Sequence, residues 1–285
     1  MSAFDILLNA TGYNGYSPSR AREFHGVYHA ASNHHYFPPV DPTNGDVLFA
    51  ISECTVPRRS AESFQRDANA IEEARATGRS VAYQTGLSKK SGIKGHSLFF
   101  APSDDMRAAY PQLTHLWSIG PAAAPYDVMH LLMQNVAPLL WRLFAGKVPV
   151  GGTADEDYVI PAATVALIGR EMTAARRTVP MVQARSLRDF DLKYRSFKAV
   201  DWMYWLVSTA EVQLAGRIPD LYYEMLMALC KAFRVLFRPR GISWPELPTV
   251  EARLKRFVHL YYTKVYRGTY DRLPLCRSVI SSVML

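Results

Sequence analysis

The chain has 285 residues, with 33 Lys+Arg against 25 Asp+Glu for a net charge of +8, and 49% of it is hydrophobic. It is too apolar and too weakly charged to be disordered, and long enough for one large domain or two small ones. Three cysteines, Cys54, Cys230 and Cys276, exclude the dense disulfide framework of a small secreted domain. MSAFDILLNATGYNG also lacks the basic and apolar regions of a signal peptide, so an intracellular, reducing compartment is expected.

Residues 1–60 are rich in Gly and Pro and read as a loop-rich segment. Within them GVYHAASNHHYFPP, from Gly26 to Pro39, makes one short β-hairpin at most, with Val27–His29 and His35–Phe37 as strands and Ser32-Asn33 in the turn. A second segment, 61–95, begins with a helix that runs from Ser60 to Thr77, with Ser60 or Ser63 as N-cap and Gly78 as its stop. Phe64 and Ile71 lie on one face of it and little else is large and apolar, which predicts a mostly solvated surface helix. A basic linker around Lys89, Lys90 and Lys94 follows.

The remainder, 96–285, reads as a helical domain. A helix over Asp127–Ala145 places Leu132, Val136, Leu139, Leu140 and Leu143 on one stripe, with a kink expected at Pro138. Another spans Ala162–Thr178 after Pro161, and a third, Ser196–Leu214, carries Val200, Tyr204, Val207 and Leu214 at helical spacing. Asp220–Phe237 and Thr249–Arg267 complete the set. Strand-type alternation is nearly absent after residue 40, so the fold class is mainly α. No internal repeat is present.

The most apolar stretches, 128–144 and 221–237, carry His130, Gln134, Asn135 and Arg142 in one and Glu224, Lys231 and Arg234 in the other, so no membrane partner is expected. Charge is concentrated late in the chain. The window Arg170–Lys198, which includes Arg176 and Arg177, holds eight basic residues against three acids, and Lys231–Arg272 holds ten against three. Lys231, Arg234 and Arg238 share one helical face beside Met225, Leu229 and Phe233. Such a stripe suits a phosphate backbone, because each cation that neutralises a phosphate releases a condensed counterion; a solvated basic surface is the plainer alternative.

His25, His29, His34 and His35 cluster upstream of Cys54, but no C-x2-C pair accompanies them, so surface or hairpin histidines are preferred over zinc ligands. No P-loop, GxGxxG, G-x-S-x-G or HExxH is present. In PYDVMHLLMQNVAPLLW, Asp127 and His130 are neighbours on one face at the start of a helix, and Asn135 follows within it. Asp127 has a structural reading, as an N-cap or first-turn acid at the positive end of the dipole, and a catalytic or metal-binding one.

PYDVMHLLMQNVAPLLW resembles the D-x-M-H-L-x-x-E-N-V segment of CACTA-type (En/Spm) DNA transposases of the fungal branch. Other blocks follow in that family's order. ATGYNGYSPSRAREFHGVYHAASNHHYFP is similar to its GHNGxxPCRxCxxxGxY and HYYFP stretch, and GIKGHSLFF to its GIKGxSxL lead-in. FKAVDWMYWLVSTAEVQLAGRIPDLYYEMLMALCKAFRVL and YDRLPLCRSVI resemble the two blocks that close it.

The resemblance implies an RNase H-like transposase in which three acids hold two divalent ions, Mg or Mn, with this chain matching the long helical insertion between the second and third acids. At least two of those acids are not found here. Asp127, His130 and Asn135 match the signature, whereas Gln134 replaces a Glu. Ser19 and Arg22 stand at the positions of a zinc-ligating C-x-x-C, and Ser281 and Leu285 at those of a following H-x-x-x-H. Residues 1–60 thus resemble a degenerate zinc knuckle. No cofactor is expected for this chain, zinc and the divalent ions belonging to intact members only. The expected product is a catalytically inactive, nuclear, transposase-derived protein with weak DNA binding and a full-length transposase as a possible partner; the alternative is a helical protein-interaction module without DNA function. An excised insertion also leaves apolar surface exposed, and Trp202, Tyr204, Trp205, Tyr222 and Tyr223 are candidates for it.

Overall fold

The computed structural model describes residues 26–39, 42–45, 59–98, 101–119, 129–148, 156–178 and 189–276. They are mainly helical, with one two-stranded sheet, and fall into two compact units that divide between Tyr126 and Asp127.

In the first unit, β1 (Val27–His29) pairs antiparallel with β2 (His34–Tyr36), setting Val27 opposite Tyr36, Tyr28 opposite His35 and His29 opposite His34. The second strand lies one residue earlier than the sequence suggests. The turn uses four residues, a 3-10 turn over Ala30–Ser32 and then Asn33 at φ 53°, a left-handed position that asparagine tolerates. Asn33 also accepts from the Tyr28 hydroxyl at 2.7 Å, and Ser32 Oγ accepts from the Tyr36 hydroxyl at 3.0 Å.

Helix α1 (Ala61–Ala76) starts at a capping box in which both candidate caps take part. Ser60 Oγ accepts from the Ser63 amide and Ser63 Oγ accepts from the Ser60 amide, satisfying two orphan donors. Phe64, Ala68 and Ile71 are buried against Ile93 and Ala101, and the Arg59 guanidinium sits 4.1 Å over the Phe64 ring while pairing with Asp67. This packing crosses the boundary expected at residue 95. The expected basic linker is largely a helix, α2 (Val81–Ser91), capped by Ser80, with Lys89 and Lys90 in its last turn and Gly92 ending it at φ 80°. It buries no side chain, so no apolar period announces it. Two short helices, α3 (Asp104–Ala109) and α4 (Thr114–Ile119), follow, and Trp117 Nε1 donates to the Leu98 carbonyl at 2.6 Å.

The second unit opens on a π-helical segment, Met129–Val136, that runs into α5 (Ala137–Phe144). Pro138 stands in the first turn of α5, where the missing N–H costs least, so the disturbance expected there takes the form of a change of helical type. Leu132, Val136, Leu140 and Leu143 are buried as the stripe requires, and Leu139 is half-buried. Helix α6 (Ala162–Ala175) begins after Pro161 and buries Val165, Ile168 and Met172. Helix α7 (Phe190–Lys193) is capped by Asp189, whose Oδ1 accepts from the Asp191 and Leu192 amides.

The segment Ser196–Leu214 departs most from its expected face. It is helix α8 (Ala199–Tyr204), a π turn (Trp205–Thr209) and α9 (Ala210–Leu214). Within α8 the buried face is the one that carries Trp202 and not the one that carries Val200, and it continues through Trp205, Leu206, Ala210 and Leu214, leaving Val200 exposed and Tyr204 and Val207 half-buried. Trp202, Trp205 and Tyr222 are therefore core residues and not stranded surface, and Tyr204 and Tyr223 are half-covered. Trp141, Phe190, Trp202 and Trp205 meet edge to face or tilted at centroid distances of 4.6–6.1 Å, an arrangement favoured by the ring quadrupoles.

Helices α10 (Asp220–Leu236) and α11 (Leu247–Leu260) pack as an antiparallel pair, since Glu224 meets Arg256 while Lys231, a turn and more later, meets the earlier Arg253. A further π segment, Tyr261–Tyr266, ends at Arg267 with φ 60°, and a 3-10 helix, Tyr270–Cys276, closes the described chain. The buried Tyr261 hydroxyl donates to the Leu275 carbonyl at 3.0 Å.

Candidate nucleic-acid interface

The signature residues Asp127, Ser19 and Arg22, together with His25, Cys54, Ser281 and Leu285, lie outside the described residues. The backbone of His130 is in the π-helical segment, and Asn135 and Gln134 are exposed on it. On the hairpin, pairing puts His29 and His34 on one face and His35 on the other, and His29 Nδ1 is hydrogen-bonded to Ser32 Oγ at 2.8 Å. Burial, and then the nearby Lys89 charge, lower the His35 pKa. Among the described residues no three His, Cys, Asp or Glu side chains converge as a metal site.

Of the expected stripe, Lys231 and Arg234 lie on α10 and Arg238 just past its end, and their partners differ. Lys231 is exposed, and among the described residues only its carbonyl is engaged, by Arg253. Arg234 pairs with Glu211 at 2.5 Å and donates through Nε to the Val207 carbonyl at 2.7 Å. Arg238 pairs with Glu246 at 2.5 Å. Glu246 also accepts from the Ser243 amide at 3.1 Å and from Ser243 Oγ at 2.8 Å. The Arg238 guanidinium, followed by the Ser243 donors, holds the Glu246 carboxyl down at about 2. Two of the three cations are thus committed to holding helices together.

A more open cationic surface stands at the end of α6. Arg170 is exposed on α6, and Arg176 and Arg177, in the turn that follows the helix, are exposed as well. None of the three has an ion pair among the described residues. Glu171, the nearest acid in sequence, is taken by Arg217 through two bonds of 2.7 and 2.8 Å, which lower its pKa and cancel its charge locally. Counting charge along the sequence finds this window, but which cations lack partners depends on acids distant in the chain.

Two features escape the sequence reading. Glu156 is clamped by both Arg267 and Arg272, with Arg267 also reaching the Tyr222 hydroxyl, which itself donates to Asp157 at 2.8 Å. Trp244, between α10 and α11, is exposed, and the Gly-Ile-Ser-Trp-Pro string marks only a turn. Among the described residues no helix is long and apolar enough to cross a membrane. No protein-family model matches the chain, and no match is found among curated proteins or solved structures.

Proposed function

We propose that the chain is a transposase-derived protein of a CACTA-type DNA transposon that binds duplex DNA weakly and without sequence preference but does not cut it. Its helical unit from Asp127 onward corresponds, on this reading, to the helical insertion of an RNase H-like transposase. It acts in the nucleus, alongside a full-length relative. The order of the five sequence blocks supports the origin, and Ser19, Arg22 and Gln134, in place of two cysteines and a glutamate, support the lack of cleavage. The observation that carries DNA binding is the exposed trio Arg170, Arg176 and Arg177, which form no ion pair among the described residues, Arg170 acting on Glu171 only at longer range beside the Arg217 pair.

Titration of duplex DNA at increasing salt tests binding. The logarithm of affinity is expected to fall linearly with the logarithm of salt, at a slope of roughly −2 to −3 for three phosphate contacts. Supercoiled plasmid with Mg or Mn is expected to stay intact, and nicking that Asp127→Ala abolishes would overturn the non-cutting assignment.

The pairs Arg234–Glu211, Arg238–Glu246 and Arg256–Glu224 favour a second reading, a helical protein-interaction module whose basic residues serve packing and solubility. Absence of duplex binding at low salt would decide for it.

A further inference from the structure

The chain has five tryptophans. Trp117, Trp141, Trp202 and Trp205 are at most 5% exposed, whereas Trp244 is 85% exposed. An indole left in water forgoes a large favourable burial term, so an exposed one on a firm scaffold is informative. The scaffold here is firm. Trp244 opens a 3-10 turn whose capping box joins Ser243 to Glu246, and Arg238 reaches across to Glu246, tying the end of α10 to the start of α11. The backbone beneath the ring is therefore ordered before any ligand arrives, which lowers the entropy cost of binding.

A cation precedes Trp244 by four residues in the same connection. Arg240 is exposed and has no ion pair among the described residues, and Gly241 turns the chain there at φ 76°. The hairpin Asp220–Leu260 holds seven Lys+Arg against four Asp+Glu. Phe237, half-stacked on Phe233 at 5.6 Å, is also partly exposed.

We propose that the tip Phe237–Leu247 is a stacking platform for single-stranded DNA, with a base on Trp244 and an adjoining phosphate on Arg240. The proposal rests on the DNA-binding reading and gives it a second surface. A flat aromatic face with a neighbouring cation serves any base, because every base has a π face, and the cation meets the backbone. An intact duplex hides its base faces, so the tip selects unpaired strands. A lipid surface would call for an extended apolar face backed by many Lys and Arg, and the tip offers one well-exposed indole, with Phe237 and Leu247 only partly exposed, and one arginine without an ion pair among the described residues.

Tryptophan emission of the full chain, titrated with an oligodeoxythymidylate of about 15 nucleotides at low salt, tests this. The single strand is expected to quench the iodide-accessible emission and shield it from iodide. Trp244→Ala is expected to weaken single-strand affinity roughly ten-fold and leave duplex affinity unchanged, and Trp244→Phe to recover part of the loss. Arg240→Ala is expected to lower the single-strand salt slope by roughly 0.7. Thermal melting of each variant should match the parent, since both side chains are exposed. Equal single-strand affinity with and without Trp244 overturns the proposal, as does an emission response confined to anionic vesicles or to raised protein concentration. Duplex binding with Trp244 unresponsive sinks this inference alone; failure to bind either form of DNA removes the DNA-binding reading with it.

Discussion

Gly169 lies inside α6, where alanine is ordinarily the better residue by roughly 0.5–1 kcal/mol. At this position a Cβ would come within 2.3 Å of Asp189 Oδ1. That oxygen is pinned, accepting from the Asp191 amide at 2.9 Å and the Leu192 amide at 3.1 Å. Gly169→Ala is therefore expected to destabilise the fold by about 1–3 kcal/mol, read from the denaturant midpoint; a midpoint unchanged or raised would mean that Asp189 swings aside freely. The sequence shows a glycine within a helix and nothing of the carboxylate 20 residues on that excludes a side chain. Cys230 and Cys276 are free thiols, and their inertness comes from packing. Burial pushes the Cys230 thiol up to about 12 and that of Cys276 well above its usual range, leaving little reactive thiolate at neutral pH. Peptide-resolved alkylation is expected to label both only after denaturant is added. Rapid labelling of either in the native protein would contradict their burial.

Helix ends are written in local residue chemistry, and the caps at Ser60 and Pro161 are accordingly found where the sequence puts them. Faces are less legible. Three π-helical stretches, Met129–Val136, Trp205–Thr209 and Tyr261–Tyr266, break the 3.6-residue period on which a stripe depends, and within α8 an indole takes the core side, so Val200 reads as core and is exposed while Trp202 and Trp205 are buried. Helix α2 carries the caps of a helix and no apolar face, and β2 begins one residue early because Asn33, in the left-handed region, closes the turn in four residues. The α10–α11 tip makes a pH prediction of its own. The Glu246 carboxyl is held at about 2 against an ordinary 4.5, so what the Arg238 and Ser243 contacts contribute is fully present above about 4.5 and is lost as pH falls through 2. Because Glu246 is open to solvent, the effect on overall stability is small. The Ser243 amide proton, which donates to Glu246, is expected to titrate by NMR with a midpoint near 2. A midpoint near 4.5 would show that the Arg238 contact does not hold in solution.

At the scale of the molecule the sequence reveals how much positive charge there is and where along the chain it lies. It does not reveal which of those charges are spent. Arg234 on α10 and Arg238 just past its end look like the best phosphate ligands, yet Glu211 and Glu246 hold them, while Arg170, Arg176 and Arg177 form no ion pair among the described residues and Arg217 pairs with Glu171. The signature residues at Asp127 and Ser19 lie outside the described residues, so the site that the sequence makes most recognisable is not the one that the geometry develops. The most direct measurement compares duplex affinity against salt for two triple variants. Replacing Arg170, Arg176 and Arg177 with Ala is expected to weaken binding and flatten the salt slope by roughly 2 to 3. Replacing Lys231, Arg234 and Arg238 is expected to leave the slope nearly unchanged, since Arg234 and Arg238 are held by Glu211 and Glu246, while lowering stability through the lost pairs. Unchanged affinity and slope in the first variant would contradict the account.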